Sequence, residues 1–288
     1  MFQGSITALV TPWDKDGKLY EEELKRLLEF QVQNGTNGVV LAGCTGESFT
    51  LEEDERIRLL EIAKEKCGGK MPIIIGSGSS SLAVAKRFTK SALDNGADAV
   101  LVITPYGNKP SQEGMYKYFM EIADIGLPLI LYNVPSRTGS NLLPETVIKL
   151  SSHPNIVAIK EASGSLDAVS AIIAGCDITV LSGDDSLTLP IMAIGAKGVV
   201  STVSNIAPAD MSKLCGFALA GDFESAKRVH LKLFPVMKAL FVEGNPTPLK
   251  AALKLMGLSE GYLRPPLAPV SEKNLEIIKK ALTEAGLI

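Results

Sequence analysis

The sequence has little of what nucleic-acid-binding, secreted and metal-binding proteins need. It contains two histidines and four cysteines among 288 residues, and its formal net charge is −3. Without a basic excess there is no electrostatic footprint for nucleic acid, and we expect no such partner. Cys44, Cys67, Cys176 and Cys215 lie far apart, with neither CxxC nor metal-ligand spacing. This spacing predicts reduced thiols and no bound metal.

Long apolar runs are also absent. No run approaches the roughly 18 residues that a membrane span needs, and residues 1–4 lack the basic and apolar stretches of a signal peptide. We therefore expect a cytoplasmic protein with no membrane partner. The 46% hydrophobic and 21% charged content is ordinary for a globular protein. The length of this chain, 288 residues, suits one large α/β domain or two small ones.

What the sequence does contain is a regular alternation of short apolar runs and amphipathic, helix-like stretches. The apolar runs cover residues 6–10, 38–42, 72–75, 99–103, 128–132, 156–160, 178–181 and 198–201. Continuous apolar strands between helices are typical of a parallel sheet that is covered on both faces. Eight β/α units are the number that closes a TIM barrel.

The predicted fold is therefore α/β, a TIM (β/α)8 barrel over residues 1–221. Helical patterns at 222–240, 248–256 and 271–285 add a C-terminal helical extension, residues 222–288. A doubly wound nucleotide-binding sheet is the weaker alternative, because no Gly-x-Gly-x-x-Gly opens a helix after the first strand.

Lys160 stands at the carboxyl end of the sixth run, where a barrel places its active site. A lysine held against apolar walls loses hydration, so its pKa falls and the neutral amine can attack a carbonyl carbon to form a Schiff base. The commoner alternative is that this lysine only marks where the strand meets water.

Two other strand ends carry chemically useful groups. The Gly-flanked turn at 43–48 can hold a carboxylate on its amides, or it is a plain turn with Ser48 or Thr50 capping the next helix. After the fifth run, Tyr132 can shuttle protons if a nearby cation lowers its pKa, and Arg137 offers a planar fork for a carboxylate. Alternatively these two are a rim aromatic and a solvated charge.

The seventh run ends in Ser182-Gly183-Asp184-Asp185, where the aspartates can cap a helix. Neither histidine is placed for catalysis, because His153 precedes a strand, on the far face, and His230 lies in the C-terminal helices. A lysine, a tyrosine, an arginine and an anion-binding turn around one barrel mouth suit a Schiff-base aldolase that needs no metal.

Four ordered motifs resemble the dihydrodipicolinate synthase / N-acetylneuraminate lyase family of class I pyruvate aldolases. They are Gly-x-Thr-Gly-Glu-Ser at 43–48, Tyr-Asn-Val-Pro-Ser-Arg-Thr-Gly at 132–139, Ile-Lys-Glu-Ala-Ser-Gly at 159–164 and Leu-Ser-Gly-Asp-Asp at 181–185. The resemblance continues through 241–246 and covers essentially the whole chain. Arg137, inside its motif, points to the synthases of the family rather than to its sialic acid lyases.

The resemblance implies that Lys160 condenses with pyruvate and that Tyr132 relays protons. Thr45, with the amide of residue 44, would hold the pyruvate carboxylate, and Arg137 would bind the carboxylate of L-aspartate 4-semialdehyde. Gly183 and Val200 would line the pocket. The family also implies a lysine-biosynthesis lyase that uses no cofactor and forms a homotetramer, with a dimer as the alternative.

Two positions depart from the family pattern, and both concern proton transfer. Cys44 replaces the usual relay threonine, and a thiol is a weak hydrogen-bond partner. Gly107 replaces the tyrosine that normally follows Tyr106 and completes the relay across a subunit interface. Tyr106 or a water can substitute, or the enzyme is slow, or it catalyses another pyruvate-dependent reaction such as 2-keto-3-deoxy sugar acid cleavage. From another class, a non-catalytic keto-acid-binding barrel is the further alternative.

The resemblance also bears on feedback inhibition. In inhibited members, lysine binds near the positions that match Glu53, Arg56, Ser80 and Val84 here. Val84 replaces the carboxylate that would hold the effector amine, and Arg56 adds a like charge. We therefore expect insensitivity to lysine.

Overall fold

Eight parallel strands close into a barrel in sequence order, with β8 pairing back onto β1. The structure is a computed structural model that describes residues 2–288. The strands are β1 (Gly4–Ala8), β2 (Gly38–Leu41), β3 (Ile73–Gly76), β4 (Ala99–Ile103), β5 (Leu129–Asn133), β6 (Ile156–Glu161), β7 (Thr179–Ser182) and β8 (Gly198–Ser201). The predicted TIM barrel is confirmed.

The helices follow the strands and cover the barrel. They are α1 (Glu21–Gln33), α2 (Glu53–Cys67), α3 (Leu82–Asp94), α4 (Gln112–Ala123), α5 (Pro135–Thr138), α6 (Pro144–Leu150), α7 (Leu166–Gly175), α8 (Thr188–Ile194), α9 (Pro208–Leu219), α10 (Phe223–Ala239), α11 (Thr247–Leu255) and α12 (Glu272–Glu284). Serine caps start several of them; the Ser165 hydroxyl, for example, accepts the Ala168 amide at 3.1 Å at the start of α7.

The alternative in which Ser48 or Thr50 caps α2 is wrong. Those residues form a separate turn of 3-10 helix, Ser48–Thr50, and α2 begins after Glu52. The Glu52 amide donates to the Glu55 side chain at 3.0 Å, as in a capping box. The longer connection leaves the turn at 43–48 free of the helix and facing the barrel mouth.

The core has two layers, because both faces of every strand are buried. Ile6, Ile74, Ile130 and Val200 belong to the barrel interior, whereas residues such as Val39 pack outward against the helices. This explains why the strands read as continuous apolar runs. Each fully buried aliphatic side chain stabilises the fold by about 1.5–3 kcal/mol.

The chain after α9 is helical, as expected, and α12 packs on α10 and α11. The proposed division at 221/222 falls in the turn between α9 and α10 and stays a prediction. None of the helices within residues 2–288 combines the length and the hydropathy that a membrane-spanning helix requires. The same residues contain no cluster of three or more metal-ligating side chains.

Candidate active site

A cavity of about 380 Å³ opens at the carboxyl ends of the strands. The turn after β2, the ends of β5, β6 and β7, and the segment from α10 to α11 all contribute to its wall. Its lining includes six of the seven predicted site residues: Cys44, Thr45, Tyr132, Arg137, Lys160 and Gly183. Side chains from most of the length of the chain therefore converge on one mouth.

Lys160 lies near the end of β6 and is only 6% exposed. Its register partner on β5 is Tyr132, and its Nζ lies 4.2 Å from the centroid of the tyrosine ring. Burial lowers the pKa of Lys160 from 10.5 to about 8, while Cys44 and Asp185 act in the opposite direction. Because about a tenth of an amine with that pKa is neutral at pH 7, Lys160 can act as a nucleophile.

Tyr132 is also buried, and burial decides its ionisation. Arg137 favours the phenolate, but desolvation outweighs this effect and raises the pKa of Tyr132 well above its usual value, with Cys44 adding to the rise. The condition given above, a Tyr132 pKa that a nearby cation lowers, is therefore not met in the net direction. A neutral phenol can still accept one hydrogen bond while its O–H donates another, which lets it act as a link in a proton relay.

The turn at 43–48 presents Cys44 and Thr45 to the cavity. The Asn245 side-chain amide donates to Thr45 Oγ1 at 2.9 Å, which leaves the threonine proton available for an acceptor in the cavity. Cys44 also borders a second cavity of about 20 Å³, shared with Tyr132 and Ser48. That volume is enough for one water molecule.

Arg137 lies on the short helix α5 and is exposed. Its Nη2 donates to the backbone carbonyl of Asn245 at 2.9 Å. A guanidinium has five N–H donors, so this bond leaves donors to bind a carboxylate at the mouth of the cavity.

Gly183 packs directly against Lys160. A Cβ at Gly183 would lie 2.6 Å from Ala162 Cβ and 3.2 Å from Lys160 Cε, so only glycine allows this approach. Val200, by contrast, does not line the cavity. It is buried in the barrel interior, in the same hydrophobic cluster as Tyr132 and Leu181. His153 and His230 do not line this cavity either.

Sequence reasoning missed the part of the wall that comes from the C-terminal helices. Lys238, Phe241, Glu243 and Asn245 all line the cavity. Asn245 contacts both Thr45 and Arg137, although it lies 200 residues from Thr45. The only sequence signal for these residues was the motif at 241–246. The rule that a barrel site forms at the strand ends says nothing about residues on or between α10 and α11.

Comparison with known proteins gives one consistent result. A sequence model of the dihydrodipicolinate synthetase family matches residues 1–285. The 4-hydroxy-tetrahydrodipicolinate synthase of Citrifermentans bemidjiense is 50% identical, with 100% of both chains covered. The chloride-inhibited dihydrodipicolinate synthase of Acinetobacter baumannii, solved with pyruvate, is 43% identical with a TM-score of 0.98 and full coverage of both chains. A monomeric dihydrodipicolinate synthase variant is 44% identical with a TM-score of 0.97, covering 100% of this chain and 98% of the other.

Proposed function

The chain belongs to the dihydrodipicolinate synthetase family, and on that premise we propose that its barrel mouth condenses pyruvate with L-aspartate 4-semialdehyde. The product is 4-hydroxy-tetrahydrodipicolinate, and the chain is a lyase of lysine biosynthesis. The observation that carries the proposal is the buried Lys160, with a pKa of about 8, facing Tyr132 in the main cavity.

The first half of the reaction uses Lys160 and Tyr132. The neutral amine attacks the ketone carbon of pyruvate, and loss of water from the resulting carbinolamine gives a protonated Schiff base. This cation withdraws electrons from C3, so that removal of a C3 proton yields an enamine. Tyr132, whose ring packs against Lys160 Nζ, is the residue that passes protons in these steps.

The second half depends on how the two carboxylates are held. Thr45 and the amide of Cys44 bind the pyruvate carboxylate, and Arg137 binds that of the aldehyde substrate. The enamine carbon attacks the aldehyde carbon to form the new C–C bond, and the substrate amine then displaces Lys160 to close the ring. Fixing both reactants in this way can lower the barrier by several kcal/mol.

The alternatives are less well supported. A 2-keto-3-deoxy sugar acid aldolase would meet its hydroxyl-rich substrate with neutral partners, whereas Arg137 brings a cation to the mouth. A non-catalytic keto-acid-binding barrel would have no chemical use for a desolvated lysine beside a tyrosine. The family match favours neither.

We also propose a homotetramer in the cytoplasm, with a dimer as the alternative assembly. The resemblance supports the tetramer, and so does the exposed Phe49, which is 54% accessible and packs edge-on against Tyr106 at 5.0 Å. An aromatic pair of this kind next to Gly107 is typical of a surface that another subunit covers.

The experiment that tests the activity is the rate with pyruvate and aspartate semialdehyde, coupled to the reductase that consumes the product. Lys160→Ala serves as the blank. A rate that depends on Lys160 supports the synthase. A rate no higher than the blank, together with turnover of a 2-keto-3-deoxy sugar acid, would contradict it.

A further inference from the structure

A fully buried ion pair lies outside the cavity, between the C-terminal helices and the turn at 43–48. Glu47 and Lys250 contact each other with side chains that are each 1% exposed. Lys250 Nζ also donates to the Tyr262 carbonyl at 2.8 Å, and the second oxygen of Glu47 accepts the Arg264 amide at 3.1 Å. Since neither residue lines the cavity, the roles proposed above do not use this pair.

A buried ion pair of this kind adds little to the free energy of unfolding, because the cost of desolvating two charges offsets much of their attraction. Apolar residues of similar volume often serve as well. A buried pair is better explained when it fixes one conformation of a segment that must be placed accurately.

Glu47 is the residue whose backbone closes the turn. It has φ 55° and ψ 39°, a left-handed conformation that residues other than glycine adopt rarely. With Glu47 in this conformation, its amide donates to the Cys44 carbonyl at 3.1 Å, and the Ser48 amide donates to the Gly43 carbonyl at 3.2 Å. The position of the Thr45 hydroxyl therefore depends on how Glu47 is held.

One C-terminal segment holds this turn at two points. Asn245 donates to Thr45, and Lys250, five residues later on α11, holds Glu47. The amide of Lys250 donates to the Pro246 carbonyl at 2.9 Å, so both anchors belong to one rigid helix start. Lys160 and Tyr132 lie on β6 and β5 and have no contact with either anchor in the hydrogen-bond network of residues 2–288.

We infer that Glu47 and Lys250 are a positioning pair for the substrate-carboxylate turn. They do not touch substrate but fix Thr45 and the amide of Cys44 where the pyruvate carboxylate binds. This inference rests on the proposed function, because it takes the turn as the pyruvate carboxylate site.

The test compares Glu47→Gln, Lys250→Met and the double variant. In a mechanism where pyruvate binds first and the aldehyde second, kcat/KM for each substrate reports its own half-reaction. All three variants should lose about ten-fold in kcat/KM for pyruvate, because small misplacements of a binding group are costly. The value for the aldehyde should change by less than about two-fold.

The single variants should melt at a lower temperature than the wild type. The double variant should recover the wild-type melting temperature, because it leaves no unpaired buried charge.

Glu23→Gln is the matched control. Glu23 is 1% exposed on α1 and binds the Ser259 hydroxyl and, at 3.0 Å, the Glu260 amide. It ties α1 to the same C-terminal region without touching the turn, so it should lower the melting temperature and leave kcat/KM for pyruvate unchanged.

Three results would overturn the positioning role. The double variant could recover kcat/KM for pyruvate together with its melting temperature, both kcat/KM values could fall in parallel, or Glu23→Gln could reduce the pyruvate value as strongly. If the wild type gives no borohydride-reducible adduct with pyruvate, the proposed function fails, and this inference fails with it. If the adduct forms, the results from the variants test only the role of Glu47 and Lys250 and leave the proposed function unaffected.

Discussion

Tyr132 and Lys160 are register partners on adjacent strands, and the lysine Nζ lies 4.2 Å from the centroid of the tyrosine ring. The ring face attracts the ammonium, while burial removes its hydration and favours the neutral amine. Burial has the larger effect, and the pKa of Lys160 falls to about 8. The same tyrosine thus holds the nucleophile with its ring and offers a hydroxyl for proton transfer.

Removing only that hydroxyl separates the two roles. Tyr132→Phe keeps the ring against Lys160, so the pyruvate adduct should still form. Turnover in the complete reaction should fall about 100-fold, the scale of a lost general acid or base. Borohydride trapping at successive times measures adduct formation, and the coupled assay measures turnover in the complete reaction. Turnover within two-fold of wild type would show that Tyr132 is not in the relay.

The pH dependence of adduct formation should report the desolvated lysine. Only the neutral amine attacks, so the trapping rate should rise with pH and level off above about 8. The free energy of unfolding should depend on pH for the same reason. The pKa of Lys160 is about 8 in the folded state and about 10.5 in the unfolded state, so the folded state binds fewer protons between these pH values. The protein should therefore become more stable as the pH rises through that window. A trapping midpoint near 10.5 would contradict the burial argument.

The sequence predicted the barrel because its strands are apolar on both faces, and β4 and β8 begin and end where their runs do. It missed the start of β1 at Gly4, which depends on pairing between Gly4 and Gly198 rather than on apolar side chains. It also missed Asn245, because no local pattern links that residue to Thr45 across 200 positions. Strand ends are visible in one sequence, whereas contacts from a distant helix are not.

Gly183→Ala tests the close packing around the nucleophile. The added methyl would displace Ala162 or Lys160, so activity should fall at least ten-fold and stability by about 1–3 kcal/mol. Gly216→Ala is the control: its Cβ meets nothing within 4 Å on α9, and alanine there should stabilise by about 0.5–1 kcal/mol. Full activity in Gly183→Ala, measured with the coupled assay, would refute the packing argument.

Cys44→Thr combined with Gly107→Tyr should raise turnover by restoring hydroxyls to the relay. Space is available, because a Cβ at Gly107 meets nothing within 4 Å, but φ is +81° there. The double variant should therefore lose roughly 1–3 kcal/mol of stability to backbone strain. Cys176→Thr, at a cysteine outside the active-site cavity, is the control and should leave the rate unchanged. An unchanged or lower rate in the double variant would argue against an impaired relay.

Lysine should not inhibit the enzyme. Arg56 is buried, donates to the Gly76 carbonyl at 2.7 Å and lies over the Phe88 ring at 4.5 Å. Burial lowers the pKa of Arg56 to about 10, so it stays charged at pH 7 and repels a lysine ammonium. Millimolar lysine should change neither the coupled rate nor the melting temperature, with pyruvate as the positive control for the latter. A halved rate would contradict this prediction.

The central claim is that Lys160 forms a Schiff base with pyruvate, and mass spectrometry after borohydride reduction tests it most directly. The intact protein should gain the mass of one reduced pyruvate adduct, and peptide mapping should place that mass on Lys160. Lys160→Ala should gain nothing. An adduct on another lysine, or an unmodified wild-type protein at saturating pyruvate, would contradict the account.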